Sequence, residues 1–170
     1  MGFLDKLKGT GVLTAAEPED GVEPQPADEV KRRLLAITGK GIETGMDEDD
    51  VVVAWSAQVD SVGPGGAGHS YLYRALRIEL DEGDHEAKGI GLKTETDAEI
   101  GLGGNFSGGA KWERGQHMGS ETMHVIAWLG PHRTEGGADE KGYKFSWGDL
   151  RDPVIESVTG AGWTYKPKRI

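Results

Sequence analysis

Three consecutive stretches between residues 51 and 97 alternate apolar and polar side chains, with the period of two that is typical of β-strands. Their sequences are VVVAWSAQVD, SYLYRALRIELD and HEAKGIGLKTETD. Residues 81–84 separate the second stretch from the third and include Gly83, which we expect to adopt the positive φ of a tight hairpin. The three stretches therefore predict neighbouring strands that form most of an antiparallel sheet.

Weaker alternation continues through the rest of the chain and predicts further strands. Residues 122–129 are apolar on both faces, which indicates a central strand or one covered by a helix. The other predicted strands are a glycine-spaced one with Ile100, Leu102 and Phe106, a fifth with Trp112, one with Tyr143, Phe145 and Trp147, and a last one around Trp163 and Tyr165.

Two segments have the apolar spacing of helices. Residues 28–38 place apolar side chains at i, i+4 and i+7 and are followed by Gly39, which supplies a left-handed stop. Residues 153–159 form the second segment, and we expect that helix to begin at Pro153, since proline is favoured in the first turn.

Composition refines this picture towards turns and short strands. The chain has 170 residues with 28 glycines, a share roughly twice the usual one, and glycine weakens both helices and strands. Gly89 and Gly91 lie on the side of the third strand opposite Ile90 and Leu92, where they leave room for another element to approach. We therefore predict an α+β fold, a curved and mainly antiparallel meander with one N-terminal and one short C-terminal helix, and a closed barrel as the alternative.

The first 26 residues differ in composition from the rest. Phe3, Leu4 and Leu7 share one face of a short amphipathic segment, which predicts at most weak peripheral contact with a membrane. Residues 10–26 are rich in proline and carboxylates, and we expect them to be disordered. The predicted organisation is an N-terminal peptide and linker over residues 1–26 and a single β-rich domain over residues 27–170.

Charge and cysteine content exclude several classes of function. A formal charge of -10 opposes binding to a phosphate backbone, so nucleic acid is not an expected partner. The absence of cysteine excludes disulfides, thiolate metal sites and thiol nucleophiles. The sequence has neither an apolar run long enough to span a membrane nor a signal peptide, and a soluble cytoplasmic protein is the expectation.

No pattern of residues predicts catalysis or a cofactor. The glycine-rich stretch GLGGNFSGG fits neither of the common phosphate-loop patterns, and no serine lies in a nucleophile elbow. His117 and His124 fall on neighbouring predicted strands, but metal-binding spacing is absent, and two surface histidines are the favoured interpretation. We therefore predict no catalytic residues, no metal and no cofactor, and an enzyme, specifically a hydrolase without a motif, is a less favoured alternative.

Aromatic side chains on strands are the main candidates for ligand binding. Together with one cation they could line a curved sheet that accepts an apolar, flat or anionic ligand, although large aromatic residues on strands are more often core. Arg74 interrupts an apolar face and would be the anchor for an anion. The predicted ligand-binding residues are Trp55, Tyr71, Tyr73, Arg74, Trp112, His124 and Trp128.

Four segments resemble a family of small uncharacterised bacterial proteins that end in a similar VTGAGWT sequence. The segments are RLLAITGKGI, RALRIELDEGDHEAKGIG, RGQ and YKFSWGDLRDPVIESVTGAGWTYKP, and the resemblance covers roughly residues 30–167. It implies a bacterial origin and one β-rich domain, and it supplies no activity or site. The function predicted is a non-catalytic binding or interaction protein with an unknown protein or small-molecule partner, and a small-molecule carrier with an enclosed cavity is the alternative.

Overall fold

The computed structural model describes residues 15–39, 41–63, 66–101, 106–115, 120–123 and 143–168, and all structural statements refer to these. They form an α+β fold, which confirms the predicted class. The helices are α1 (Ala27–Leu35) and α2 (Trp147–Thr159). The strands are β1 (Ile42–Asp47), β2 (Asp50–Gly63), β3 (Gly66–Asp81), β4 (Glu86–Gly101), β5 (Phe106–Gly115), β6 (Ser120–Met123), β7 (Tyr143–Ser146) and β8 (Thr164–Pro167).

Six strands form one mostly antiparallel sheet. Strands β1 to β5 follow one another in chain order, and β8 joins β4 in parallel. β4 shares one edge between two partners, because residues Glu86–Gly89 pair with β8 and residues Gly91–Ile100 pair with β5. The described sheet is open, with β1 and β5 as its end strands, so the barrel alternative is wrong. β6 and β7 form a separate antiparallel pair.

The predicted antiparallel order of the first three long strands is confirmed, but two details of that region are not. The sequence IETGMD, for which the sequence patterns predict no strand, forms strand β1 beside β2. The hairpin between β3 and β4 takes its positive φ at His85, with φ 51°, and not at Gly83. Ile100 and Phe106, assigned to a fourth strand of their own, instead end β4 and begin β5.

Helix α2 begins earlier than the sequence predicts. Ser146 caps it by accepting a hydrogen bond on Oγ from the Gly148 N–H at 3.2 Å, so Pro153 lies inside the helix. The preceding strand ends at the same point, and Trp147 is therefore helical rather than extended. Its ring meets that of Phe145 edge-on, with centroids 5.3 Å apart.

The core lies between one face of the sheet and the two helices. Alternate residues of β2 and β3 are buried there in register, with Val51 opposite Ile78 and Val53 opposite Leu76. Apolar residues of both helices complete the same cluster, which includes Val30, Leu34, Leu150, Val154, Ile155 and Val158. We call this the helix face of the sheet, and the opposite side the open face.

Gly89 lets β8 pack tightly on this core. The buried ring of Tyr165 lies directly over it, because a Cβ built on Gly89 would be 2.8 Å from both Cε2 and Cζ of that ring. The close approach expected at this glycine is thus present. Burial also raises the pKa of the Tyr165 phenol to about 12.

Residues 15–26 have no regular strand or helix of their own, yet they contact the domain at both ends. The backbone of Ala16 exchanges two hydrogen bonds with Tyr165, of 2.9 and 2.8 Å, and Ala16 is fully buried. Gln25 donates its N–H to the Ala161 carbonyl and accepts from the Trp163 indole N–H at 2.7 Å. This packing differs from the disorder expected of residues 10–26, since backbone groups bond irrespective of an acidic composition.

Several sequence predictions lie outside the described residues. These are the amphipathic residues Phe3, Leu4 and Leu7, and Leu102, His117 and all of residues 124–129. In the part of the chain that is described, neither helix has the length and apolar character needed to cross a membrane.

Candidate functional site

The structure separates the predicted ligand-binding residues onto the two faces of the sheet. Trp55 and Arg74 are opposite one another on β2 and β3, on the helix face. Tyr73 directly precedes Arg74 in β3. Because successive side chains of a strand point to opposite faces, Tyr73 lies on the open face. Tyr71 and Trp112 occupy register positions of the same parity as Tyr73, while His124 and Trp128 lie outside the described residues.

Trp55 belongs to the core. Its side chain is 1% exposed, and its ring packs on Phe145 with centroids 4.8 Å apart and planes tilted by 30°. Stacking of this kind is typical of well-packed interiors. Trp55 therefore holds β7 and the start of α2 against the sheet.

Arg74 is buried beside Trp55 rather than extended to solvent. It is 1% exposed, and Nη1 donates to the carbonyl oxygens of Tyr73 and Thr94, each at 3.2 Å. The guanidinium group therefore does not extend along its aliphatic stem to water. Arg74 joins the backbones of β3 and β4 from the helix face.

Among the Trp, Tyr and Phe residues whose side-chain burial the structure describes, Tyr73 is the most exposed, and it lies on the open face. Its side chain is 38% exposed. The next residue of β3 on the same face is Ala75, which pairs with Ala54 of β2, and both of these small side chains are buried. Partial burial raises the pKa of the Tyr73 phenol, and the carboxylates of Asp47 and Glu43 raise it further. The hydroxyl is therefore a protonated group in a negative surrounding.

The carboxylates around Tyr73 come from β1 and from the turn that joins it to β2. Glu43 and Asp47 have the same register parity and are both exposed. Arg77 neutralises part of the negative charge of these carboxylates, with ion pairs of 2.9 Å to Asp47 and 2.6 Å to Asp50. Hydrogen bonding to Asp50 raises the pKa of Arg77, so its charge is retained at any ordinary pH.

Charged side chains gather where the turn between β1 and β2 lies beside the C-terminal part of β3, since Val51 pairs with Ile78. Beside Arg77, β1 and its turn carry five carboxylates, namely Glu43, Asp47, Glu48, Asp49 and Asp50. At the same end of the sheet, carboxylates and lysines pair one to one, as Asp81 with Lys88, Glu86 with Lys166 and Glu79 with Lys168. The Lys88 ammonium holds the pKa of Asp81 below its usual range. The excess negative charge among these described residues therefore belongs to β1 and its turn, where Arg77 is the cation that pairs with Asp47, Glu48 and Asp50.

We call the group formed by Glu43, Asp47, Tyr73 and Arg77 the acid–tyrosine surface. The sequence predicts Tyr73 as a binding residue but not the carboxylates on the same face, because they belong to β1, a strand that is not predicted. The alternation of Ile42, Thr44 and Met46 with polar or small residues was the signal that could have revealed the strand. Within the described residues, histidines and carboxylates do not gather into a metal-binding cluster.

A cleft of about 500 Å³ between the two helices is a second candidate. Arg32 and Arg33 line it, but both guanidinium groups bind Glu29, at 2.7 and 2.9 Å. Hydrogen bonds from Arg32 and then Arg33 lower the pKa of Glu29 to about 2. Arg33 also donates to the Gly160 carbonyl and so joins α1 to the end of α2, while Arg32 pairs with Glu29 within α1.

Comparison with known proteins supplies no relative. No family model, curated protein or solved structure matches this chain. The resemblance to bacterial proteins ending in VTGAGWT stays a prediction, and function has to be argued from the site itself.

Proposed function

We propose that this protein is a non-catalytic binding protein that uses the acid–tyrosine surface to hold a basic partner. The single observation that carries the proposal is the exposed Tyr73 ring beside carboxylates close enough to raise its pKa. An aromatic face and carboxylates are the groups that together attract a lysine or arginine side chain.

The charge of the whole chain supports the same choice of partner. At -10 the protein attracts cationic molecules over long range, and β1 with its turn carries five carboxylates around Arg77. Two features favour binding over structural stabilisation. Exposed ion pairs such as Arg77 to Asp47 contribute only about 0–1 kcal/mol to stability, and Tyr73 lies outside the main core cluster.

Binding of a hexapeptide of alternating lysine and valine, followed by fluorescence anisotropy, tests the proposal. We expect the double variant Glu43→Gln with Asp47→Asn to weaken binding about 2- to 30-fold at low salt, from about 0.2–1 kcal/mol for each exposed charge. Tyr73→Ser should weaken it about 2- to 5-fold. Added salt should reduce all affinities.

A matched control variant has the same net charge as the double variant at Glu43 and Asp47. Glu19→Gln with Asp84→Asn also removes one glutamate and one aspartate charge, from exposed positions on other parts of the surface. Equal losses in the two double variants would show attraction by net charge alone and would refute the proposed surface. Failure of the wild-type protein to bind the peptide would refute the proposal altogether.

Cytoplasmic location, the small-molecule carrier and the hydrolase stay predictions, and no observation on the described residues favours either of the two alternative functions. The proposed binding role requires none of them.

A further inference from the structure

We infer that the basic partner binds as an extended segment that adds one strand to the outer edge of β1. This inference rests on the proposed function and specifies how the partner is held. It concerns β1 because, in the described residues, that strand pairs with β2 on one side and is the end of the sheet on the other.

The backbone of β1 has groups directed away from the sheet. In an antiparallel pair, alternate residues direct both N–H and C=O to the partner strand, and the others direct them outward. The Ile42 N–H donates to the Gly39 carbonyl at 2.9 Å, so Ile42 belongs to the outward set. By alternation Thr44 and Met46 belong to it as well, and an arriving strand finds its hydrogen-bonding partners there.

The side chains along β1 specify the chemistry of such a strand. Glu43 and Asp47 lie on the open face, whereas Met46, 47% exposed, lies on the helix face. Between them Gly45 is bordered by open space, since a Cβ built on it would meet no atom within 4 Å. An added strand therefore places alternate side chains beside carboxylates and beside an apolar thioether, which selects alternating basic and apolar residues.

The same charges disfavour a second copy of this chain as the partner. Antiparallel pairing of two β1 strands would place Glu43 and Asp47 of one copy beside those of the other. Acidic side chains on an edge strand are a known device against such self-pairing. A basic segment converts this repulsion into attraction.

Backbone methylation of the peptide tests the inference without changing the protein. The hexapeptide of alternating lysine and valine is compared with two versions, one N-methylated at its lysines and one at its valines. In a strand, residues of one parity direct their N–H groups to the same edge, so each version blocks one edge. We expect one version to bind at least 10-fold more weakly and the other to stay within about 2-fold of the parent.

The affected version also gives the strand direction. Valines opposite Thr44 and Met46 share the helix face, so loss on valine methylation indicates antiparallel addition and loss on lysine methylation indicates parallel addition. Equal binding of both versions, retained or lost, would overturn strand addition. If the parent peptide still bound and still responded to the Glu43 and Asp47 variants, the proposed function would survive that result.

Discussion

Gly89→Ala should destabilise the protein although it adds a single methyl group. The new Cβ would be 2.8 Å from Cε2 and Cζ of Tyr165 and close to its hydroxyl, well inside normal contact distance. The ring has little freedom to move away, because Tyr165 is 1% exposed and its backbone is paired with Ala16. The methyl group must therefore strain β8, β4 or both.

The expected cost is that of overpacking a well-filled core, about 1–3 kcal/mol. For a chain of this length each kcal/mol lowers Tm by about 2–4 °C, so Gly89→Ala should lower Tm by roughly 2–12 °C. Gly45→Ala is the matched control. It lies in β1 of the same sheet with nothing within 4 Å of its Cβ, and there alanine should be neutral or stabilising by up to about 1 kcal/mol.

Thermal and urea unfolding, followed by circular dichroism, measure the two variants. A double-mutant cycle then isolates the contact, since Tyr165→Leu removes the aromatic ring that the added methyl group meets. In the Tyr165→Leu background the cost of Gly89→Ala should fall below about 1 kcal/mol. Equal stability of Gly89→Ala and Gly45→Ala would refute the packing argument, and so would an unchanged cost in the Leu background.

Three further predictions concern ionisation and the N-terminal residues. The folded pKa of Tyr165, about 12, lies above its ordinary 10.0, so stability present below pH 10 should be lost towards pH 12 by up to about 3 kcal/mol. Urea midpoints at about pH 9 and pH 11.5 measure that loss, and an equal loss in Tyr165→Phe would contradict its origin. Deleting residues 1–26 should lower the free energy of unfolding by about 2–6 kcal/mol more than deleting residues 1–14 does, because four hydrogen bonds of Ala16 and Gln25 are lost. Equal Tm values of the two deletion variants would refute this prediction. NMR titration of Glu29 should show its pKa rising from about 2 in Arg32→Gln, and an unchanged value would show that Arg32 is not the main cause.

Sequence periodicity predicts this fold well where burial requires it. Val51, Val53 and Trp55 share a face because alternate residues of a strand meet the same layer, and the structure buries all three. Helix α1 follows from its apolar spacing in the same way, with Val30 and Leu34 fully buried. These features need only local sequence and the requirement for a core.

Features that depend on hydrogen bonds between distant segments could not be predicted from local patterns. Ala16 is buried because its backbone meets Tyr165, and nothing in an alanine beside prolines and carboxylates signals such a partner. The early start of α2 depends on Ser146 acting as its cap, a role that the strand-like alternation around it conceals. For the same reason the sequence predicts only part of the candidate site. It identifies Tyr73, but Glu43 and Asp47 belong to β1, a strand that the local pattern does not predict.

The alternation along β3 makes stability and binding separable in this protein. Arg74, Leu76 and Ile78 are buried on the helix face, so changes there act on the core and on every strand that rests on it. Tyr73 and Arg77 are next to these residues in sequence, yet their side chains lie on the open face, which also carries Glu43 and Asp47. Because neighbouring residues point to opposite sides of the sheet, Tyr73→Ser should weaken partner binding while Tm changes little. A basic partner bound through the helix face would produce the opposite pattern, with binding lost only in variants that also lose stability.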